Sequence, residues 1–414
     1  MKAILKRNSK LVLLGVSFAA IIFLGLFPFQ AFSYKYKKDP YWPDWDKWRE
    51  ASPESQGMDS NVINQMYQFI EDNLINIQSM LIVRNGYIVN EEYLYDSVRQ
   101  EEEGYIWPGH IPDWDLHDGR LHHVFSVTKS VISLLTGIAI EMGYIDLDTK
   151  FFDVFPDKWD PLIYGDPAKR DITVENLLLQ NVGIDFDEFD PPTAAAWVAS
   201  GFSIDFYLTH PMIWPPGYGF PYNFIYCSAN HDLLSVLLAN KTGMPLADFA
   251  RKYLFKPLKI RDSEWWWMST PSAWGKGDLA IKYQGGFGLF MSHEAMARIG
   301  LMCLNGGKWR GRQVVDEDWI KDSTDIRITP GGYLYYGYLW WITPTVYYPP
   351  PYPPFPETRY HQAMGLGGQR IIVIPECDMV VAITANLPGM DDWYWYGTPS
   401  SFLVENFIIP AVVA

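Results

Sequence analysis

A nearly unbroken apolar run extends from Val131 to Ile140, and a Ser-x-x-Lys motif, Ser126 to Lys129, stands just before it. The run favours a helix that is buried on all sides, because a surface helix would carry a polar face. On such a helix the side chains of Ser126 and Lys129 lie on one face, about one turn apart. Burial penalises the charged form of a lysine, so we expect the pKa of Lys129 to be lowered and its amine to serve as a base. A serine beside such a lysine is an activated nucleophile.

Composition and charge exclude several classes of protein. The chain has 414 residues, 48% of them hydrophobic, which is enough for one large or two ordinary domains. Its net charge of −15 argues against nucleic acid and against a polyanionic substrate. Cys227, Cys303 and Cys377 are too few for a disulfide framework, and none has the spacing of a metal site. We therefore expect buried free thiols.

The N-terminus predicts export from the cytoplasm. Basic residues precede Leu11–Phe29, a stretch of 19 residues without a charge, and Ala31-Phe32-Ser33 follows as a plausible cleavage site. Two interpretations of residues 1–33 stay open, a cleaved signal peptide and an uncleaved membrane anchor. Both place the rest of the chain outside the cytoplasm, as a secreted, periplasmic or membrane-anchored protein. Residues 34–56 then form a linker, and residues 57–414 form the main domain.

The order of predicted elements indicates the fold class. Helical spacing predicts a helix at Asn61–Leu74, and Asn85-Gly86 predicts a hairpin between strands Met80–Val83 and Tyr87–Tyr93. Residues 96–120 have the composition of a loop, and the proline-rich segment 343–356 that of a stiff loop. The remaining predicted helices are Val174–Leu179, Ala194–Val198, His231–Lys241, Leu246–Leu254, His293–Asn305 and Phe402–Ile409; the remaining strands are Tyr338–Ile342, Arg370–Ile374 and Met379–Ala385.

Strands, then helices, then strands again predict an α/β (α+β) fold. Its antiparallel sheet is assembled from both chain ends and flanked by helices. A mostly helical subdomain is inserted at about residues 147–285.

Five motifs occur in one order along the chain: Phe125–Ser130, Ile172–Leu178, Phe224–Ser228, Leu254–Leu258 and Ala363–Gln369. With them the chain resembles the serine β-lactamase and penicillin-binding-protein superfamily. Within it, the chain is most similar to the class C-like branch with 6-aminohexanoate-dimer hydrolases and β-lactamase-fold esterases. The resemblance begins at Met58 and implies a β-lactamase/transpeptidase-like fold.

The resemblance also implies roles for individual residues. Ser126 would be the nucleophile and Lys129 its assistant. Tyr226 matches the tyrosine of the family's Tyr-x-Asn element, and it would pass the proton of Ser126 to the leaving group. We expect the nearby ammonium to lower the pKa of this phenol. The oxyanion hole would consist of the backbone N–H groups of Ser126 and Leu366.

Two positions depart from the β-lactamase pattern. Ser228 stands where the family has asparagine, and its hydroxyl can still bond Lys129 or a substrate amide. Ala363-Met364-Gly365 stands where β-lactamases have Lys-Thr-Gly. Ala363 cannot hold the carboxylate of a β-lactam, so we expect poor β-lactam hydrolysis. Gly365 suits a strand edge that runs close to substrate. Ser228, Gly365 and Asp185 are thus candidate substrate-binding residues.

Other candidates have ordinary explanations. His110, His117, His122 and His123 show no metal motif, and we interpret them as surface or loop histidines. The acidic run Asp185, Asp187 and Glu188 fits a solvated face, with substrate contact as the alternative. Trp265–Trp267 either wall an apolar site or fill packing contacts.

The sequence therefore predicts a serine hydrolase that cleaves small carboxylic esters or linear amides through an acyl-enzyme on Ser126. No cofactor or metal is required. One alternative is a DD-peptidase, a D-amino-acid peptidase or a weak β-lactamase. Another, of a different class, is a non-hydrolytic, membrane-anchored binding or sensor module. The expected partner is a small ester or amide; the membrane is a partner only if the N-terminal segment is uncleaved, and no oligomeric state is indicated.

Overall fold

The computed structural model describes residues 42–43, 47–73, 75–94, 121–330, 335–343, 360–385 and 399–413. Three predictions fall outside these residues: the signal or anchor segment at 1–33, the loop at 96–120, and the proline-rich segment from residue 344 onward. Among the helices of the described ranges, none has both the length and the apolar character needed to cross a membrane.

The fourteen strands of the described ranges are β1 (Ile77–Arg84), β2 (Tyr87–Tyr93), β3 (His122–His123), β4 (Trp265–Trp267), β5 (Ser269–Pro271), β6 (Ile281–Tyr283), β7 (Leu289–Met291), β8 (Lys308–Trp309), β9 (Arg312–Gln313), β10 (Tyr335–Tyr336), β11 (Trp341–Thr343), β12 (Tyr360–Met364), β13 (Arg370–Ile374) and β14 (Met379–Ala385). Seven of them form one sheet in the order β10-β11-β12-β13-β14-β1-β2. All its neighbouring strands are antiparallel, and β1 pairs with β14 so that Ile82 lies opposite Val381. The prediction of one antiparallel sheet built from both chain ends is confirmed.

The central strands of this sheet are buried on both faces. In β1, Met80 and Ile82 pack into one hydrophobic cluster, and Leu81 and Val83 pack into another. Side chains alternate between faces along a strand, so helices must cover both sides. Residues of the N-terminal helix and of the C-terminal segment 399–413 belong to the first cluster, and most helices of the middle of the chain belong to the second.

The α-helices are α1 (Ser60–Asp72), α2 (Val127–Glu141), α3 (Phe151–Val154), α4 (Pro161–Tyr164), α5 (Val174–Leu178), α6 (Pro191–Ala199), α7 (Ile204–Leu208), α8 (Ala229–Thr242), α9 (Leu246–Ala250), α10 (His293–Leu304), α11 (Glu317–Ser323) and α12 (Pro399–Leu403). π-helical turns extend α9 through Arg251–Phe255 and α12 through Val404–Ile408. Every predicted helix is present, with ends displaced by a few residues.

Helix α2 is the buried helix that the apolar run predicted. All its residues from Val127 to Ala139 are buried. Gly137 allows Trp319 to pack directly against α2, because a Cβ atom at residue 137 would collide with the indole of Trp319. That indole donates a 3.0 Å hydrogen bond to the carbonyl oxygen of Ser133. Since α2 is enclosed by protein, the residue at its N-terminus is fixed in position.

Two sequence predictions about local structure were wrong. The strand expected at Tyr338–Ile342 begins only at Trp341, because Leu339 has φ +65° and the chain turns there. His122 and His123 are buried residues of β3 and pair with Met291 and Phe290, so they are not surface or loop histidines.

Candidate active site

Ser126 stands at the turn that opens α2. The preceding residue, Phe125, has φ +46°, which is uncommon for a residue other than glycine. Its ring stacks on His123 with centroids 3.8 Å apart. One turn further, the hydroxyl of Thr128 accepts a 3.0 Å hydrogen bond from the backbone N–H of Leu289. Contacts to β3 and β7 therefore hold the turn in an otherwise unfavourable conformation and fix Ser126.

The ammonium of Lys129 has three acceptors, one for each of its protons. Nζ lies 2.9 Å from Oγ of Ser126, 2.8 Å from Oγ of Ser228 and 2.8 Å from the carbonyl oxygen of Gly286. The side chain is buried. Burial lowers the pKa of Lys129 to about 8, against the opposing charge of Glu188. The expected lowering is thus present, and near pH 8 much of Lys129 is a neutral amine beside Ser126.

Tyr226 belongs to the same site and lies in the segment without regular secondary structure that precedes α8. Lys129 Nζ is 4.6 Å from the centre of its ring, and the phenol interacts with the side chain of Ser126. The buried Gln180 holds this segment: its backbone oxygen accepts from the N–H of Ile225 and its side chain from the N–H of Cys227. The hydroxyl, the amine and the phenol are therefore together in one place.

The expected lowering of the phenol pKa is wrong. Burial raises the pKa of Tyr226 well above its ordinary value, and the negative charge of Glu188 also raises it. The contact with Ser126 and the charge of Arg370 lower it, but by less. Because desolvation dominates, Tyr226 is a neutral phenol that can donate a proton, and Lys129 is the better base.

An acidic side chain joins the site through Ser228. The backbone N–H of Ser228 donates to Oε2 of Glu188 at 2.6 Å, and its hydroxyl donates to Oε1 at 2.9 Å. Both residues are buried. Glu188 belongs to the acidic run in the loop after α5, and no sequence pattern distinguishes it from its acidic neighbours there. Asp185, the acid we selected, is exposed.

Gly365, which directly follows β12, lies beside the turn that carries Ser126. A Cβ atom on Gly365 would collide with the carbonyl oxygen of Val124, two residues before Ser126. The guanidinium of Arg370 donates to the carbonyl oxygens of Gly365 and Gln369 at 3.1 and 2.8 Å. Within the described ranges, the backbone N–H groups of Ser126 and Leu366 donate to no other backbone oxygen. These are the two N–H groups that the resemblance implies as the oxyanion hole.

Ala363 and the tryptophan triplet Trp265–Trp267 take part in packing. Ala363 is buried in β12 opposite Ile371, so it presents no charge to a substrate. Trp265 and Trp267 are buried in β4, and Trp266 packs edge-on against Phe290. The tryptophan triplet therefore fills packing contacts.

A sheet assembled from both chain ends, with a serine and a buried lysine at the start of an enclosed helix, defines a serine hydrolase of the β-lactamase type. The model of the family described as Beta-lactamase matches residues 79–393, which is more than half of the chain. The protein belongs to the β-lactamase family.

Individual relatives agree with this assignment. The 6-aminohexanoate-dimer hydrolase of Paenarthrobacter ureafaciens is 25% identical over 308 residues, which are 69% of this chain and 71% of that protein. The lovastatin esterase of Penicillium rubens is 26% identical over 164 residues, 35% of this chain and 39% of the esterase. A penicillin-binding protein homolog from Caulobacter crescentus has the same fold, with a TM-score of 0.60 and 18% identity over 88% of this chain and 99% of its own.

Proposed function

We propose that the protein hydrolyses small carboxylic esters or linear amides through an acyl-enzyme on Ser126. The observation that supports this most directly is the 2.9 Å distance between Nζ of Lys129 and Oγ of Ser126. The lysine is buried, and its pKa is lowered to about 8. A base with a pKa near the working pH is suited to remove a proton from a hydroxyl in the transition state.

In acylation, neutral Lys129 takes the proton of Ser126 as Oγ attacks the acyl carbon. The backbone N–H groups of Ser126 and Leu366 bind the developing oxyanion, and one such donor contributes about 3 to 4 kcal/mol to lowering the barrier. Tyr226, as a neutral phenol, donates its proton to the departing alcohol or amine. Lys129 returns the proton to Tyr226, and the acyl group remains on Ser126.

In deacylation, water takes the place of the leaving group and attacks the acyl carbon. Neutral Lys129 now accepts one proton of this water, and it gives that proton to Oγ of Ser126 as the acid product leaves. All proton transfers use groups of this chain.

The surroundings of Tyr226 support an uncharged, partly apolar substrate. Phe189, Phe224 and Trp341 surround its ring with centroids 6.0 to 6.4 Å away. Ala363 provides no cation for a β-lactam carboxylate. The names of two relatives, the 6-aminohexanoate-dimer hydrolase and the lovastatin esterase, agree with this substrate class. Ser228 and Gly365 are the residues that we expect to contact substrate.

Labelling with a fluorophosphonate probe tests the nucleophile. We expect the wild type to be labelled on Ser126 and the Ser126→Ala variant to remain unlabelled. Ser133→Ala is a matched control, because Ser133 is a buried serine on the same helix whose hydroxyl has no partner among the described residues. Labelling of Ser126→Ala, or none of the folded wild type, would refute the proposal.

A substrate panel tests the substrate class. It consists of p-nitrophenyl esters of increasing acyl length, short linear amides and a chromogenic cephalosporin. We expect turnover of esters or linear amides to exceed cephalosporin turnover. The opposite order would identify a β-lactamase and contradict the role given to Ala363.

We also propose that the protein acts outside the cytoplasm. The support is the uncharged segment Leu11–Phe29 behind a basic N-terminus. Cell fractionation with N-terminal sequencing tests this and separates a cleaved signal from an anchor. Full-length protein in the cytosolic fraction would refute it.

A further inference from the structure

We propose that Glu188 is a positioning residue of the active site: its buried carboxylate orients Ser228 and supplies the counter-charge of Lys129. The inference rests on the role proposed for Lys129 as the base. Through Ser228, Glu188 connects Lys129 to the acidic run in the loop after α5.

The hydrogen bonds form a directed chain. Lys129 Nζ donates to Oγ of Ser228 at 2.8 Å, so this oxygen is an acceptor. The hydroxyl proton of Ser228 is then directed to Oε1 of Glu188 at 2.9 Å. The backbone N–H of Ser228 donates to the second carboxylate oxygen, Oε2, at 2.6 Å. Glu188 therefore fixes the rotation of the Ser228 hydroxyl, and this rotation aims an oxygen lone pair at Lys129.

The chain also explains why serine is adequate at residue 228. An asparagine side chain could accept from Lys129 with its oxygen, but its N–H₂ group would then have to face another acceptor. A hydroxyl accepts on one side and donates on the other with a single atom. Serine and a buried glutamate are thus complementary, and a neutral residue at 188 would leave Ser228 without an ionic acceptor.

Charge is the second contribution of Glu188. Two consecutive hydrogen bonds of 2.8 and 2.9 Å separate the carboxylate from the ammonium. An opposite charge within about 4 to 6 Å changes a pKa by about 1 to 3 pH units. Burial lowers the pKa of Lys129, and the charge of Glu188 is the largest influence in the opposite direction.

Several other ionisable groups lie around Lys129. Tyr226 presents a neutral ring. Burial raises the pKa of Cys227, and burial together with the charge of Lys129 lowers the pKa of His231, so both are uncharged near neutral pH. Asp232 also attracts the ammonium, but it forms its own ion pair with Lys282 at 2.6 Å. Glu188 is the carboxylate that reaches Lys129 through a hydrogen-bonded residue.

The test measures the ionisation of Lys129 directly. Protein with ¹³C at lysine Cε is titrated by NMR, and the Lys129 signal is identified by its loss in Lys129→Arg. We expect a midpoint of about 8 in the wild type. In Glu188→Gln, which keeps the shape and removes the charge, we expect a midpoint about 1 to 2 pH units lower. Glu188→Asp, which keeps the charge, should restore most of the difference.

Glu264→Gln is a matched control. Glu264 is also buried and also accepts from a backbone N–H and a side chain, but both belong to Arg261. It should leave the Lys129 midpoint unchanged. An unchanged midpoint in folded Glu188→Gln would overturn the inference, as would an equal shift in Glu264→Gln.

Fluorophosphonate labelling of the same variants separates this inference from the proposed function. The rate of Ser126 labelling should rise with pH about the Lys129 midpoint, at a lower pH in Glu188→Gln than in the wild type. If the wild type is never labelled on Ser126, the proposed function fails, while the NMR titration still decides whether Glu188 sets the ionisation of Lys129.

Discussion

The carbonyl oxygen of Gly286 accepts a 2.8 Å hydrogen bond from Nζ of Lys129, and no side chain fits at residue 286. A Cβ atom on Gly286 would collide with Cβ of Ser228. Ser228 itself is a second acceptor for Lys129. The close approach of Gly286 to Ser228 therefore fixes two of the three hydrogen bonds that orient the amine of Lys129 toward Ser126.

Gly286→Ala should impair catalysis by displacing this pair of acceptors. We expect kcat/KM for a p-nitrophenyl ester to fall at least about tenfold, because small misplacements of catalytic groups are costly. Gly300→Ala is the control, since its Cβ would crowd Val380 in the core instead. It should lower the melting temperature but leave the rate per folded molecule unchanged. A normal kcat/KM in Gly286→Ala would contradict this account of the site.

The pH dependence of the reaction follows from Lys129. Burial lowers its pKa from 10.5 to about 8, so the rate of Ser126 labelling should increase with pH and level off above about pH 8. Stability should change in the same direction. Between about pH 8 and 10.5 the folded state binds fewer protons at Lys129 than the unfolded chain, so the free energy of unfolding rises with pH in this range.

Lys129→Met removes the contribution of Lys129 to the pH dependence of labelling and to that of stability. It is therefore the reference for both measurements. Lys169→Met is the matched control for the labelling profile, because Lys169 is also buried and donates to three backbone oxygens, those of Tyr164, Leu208 and His210. A wild-type profile that is flat between pH 6 and 9 would contradict the assignment of Lys129 as the base.

The sequence predicted those parts of the site that lie within one element or one motif. Ser126 and Lys129 are three residues apart on a helix whose apolar run indicated burial. The predicted limits of strands β13 and β14 match the observed ones. Both strands are dense in β-branched residues, which favour strands, and a strand covered on both faces needs no alternation of apolar and polar residues. The hairpin of β1 and β2 followed from Asn85-Gly86.

Other partners of Lys129 lie far from it along the chain, and of these only Ser228 was predicted, from the family resemblance. Ser228 and Gly286 are 99 and 157 residues away from it along the chain. Glu188 lies in a run with Asp185 and Asp187, and only tertiary packing decides which of these acids is buried. Likewise, the pKa of Tyr226 depends on the balance between burial and nearby charge, and a motif carries no information about that balance.

Tyr226→Phe should lower turnover while leaving the site packed. The ring beside Lys129 remains, but no proton can reach the leaving group from this position. We expect kcat for a p-nitrophenyl ester to fall by at least about 10²-fold, the usual contribution of a general acid or base. Tyr338→Phe is the control, since it removes a hydroxyl bonded to Glu175. Near-normal turnover in Tyr226→Phe would remove Tyr226 from the mechanism.

The buried ion pair of Asp232 and Lys282 supports the segment that presents Gly286. The two side chains are 1% and 3% exposed, and Oδ1 of Asp232 accepts from the backbone N–H of Gly285 at 2.8 Å. Asp232→Asn leaves the cation of Lys282 buried without its partner, so we expect the free energy of unfolding to fall by about 3 to 5 kcal/mol. Urea denaturation measures this loss.

An exposed pair gives the comparison for this prediction. Lys150 and Asp171 are 42% and 65% exposed, so Lys150→Ala should change stability much less than Asp232→Asn does. The double variant Asp232→Leu with Lys282→Met should recover part of the loss, because it removes both buried charges together. If Asp232→Asn is as stable as the wild type, the ion pair does not anchor the Gly285–Gly286 segment. The position of Gly286 must then depend on its contacts with Ser228 and Lys129 alone.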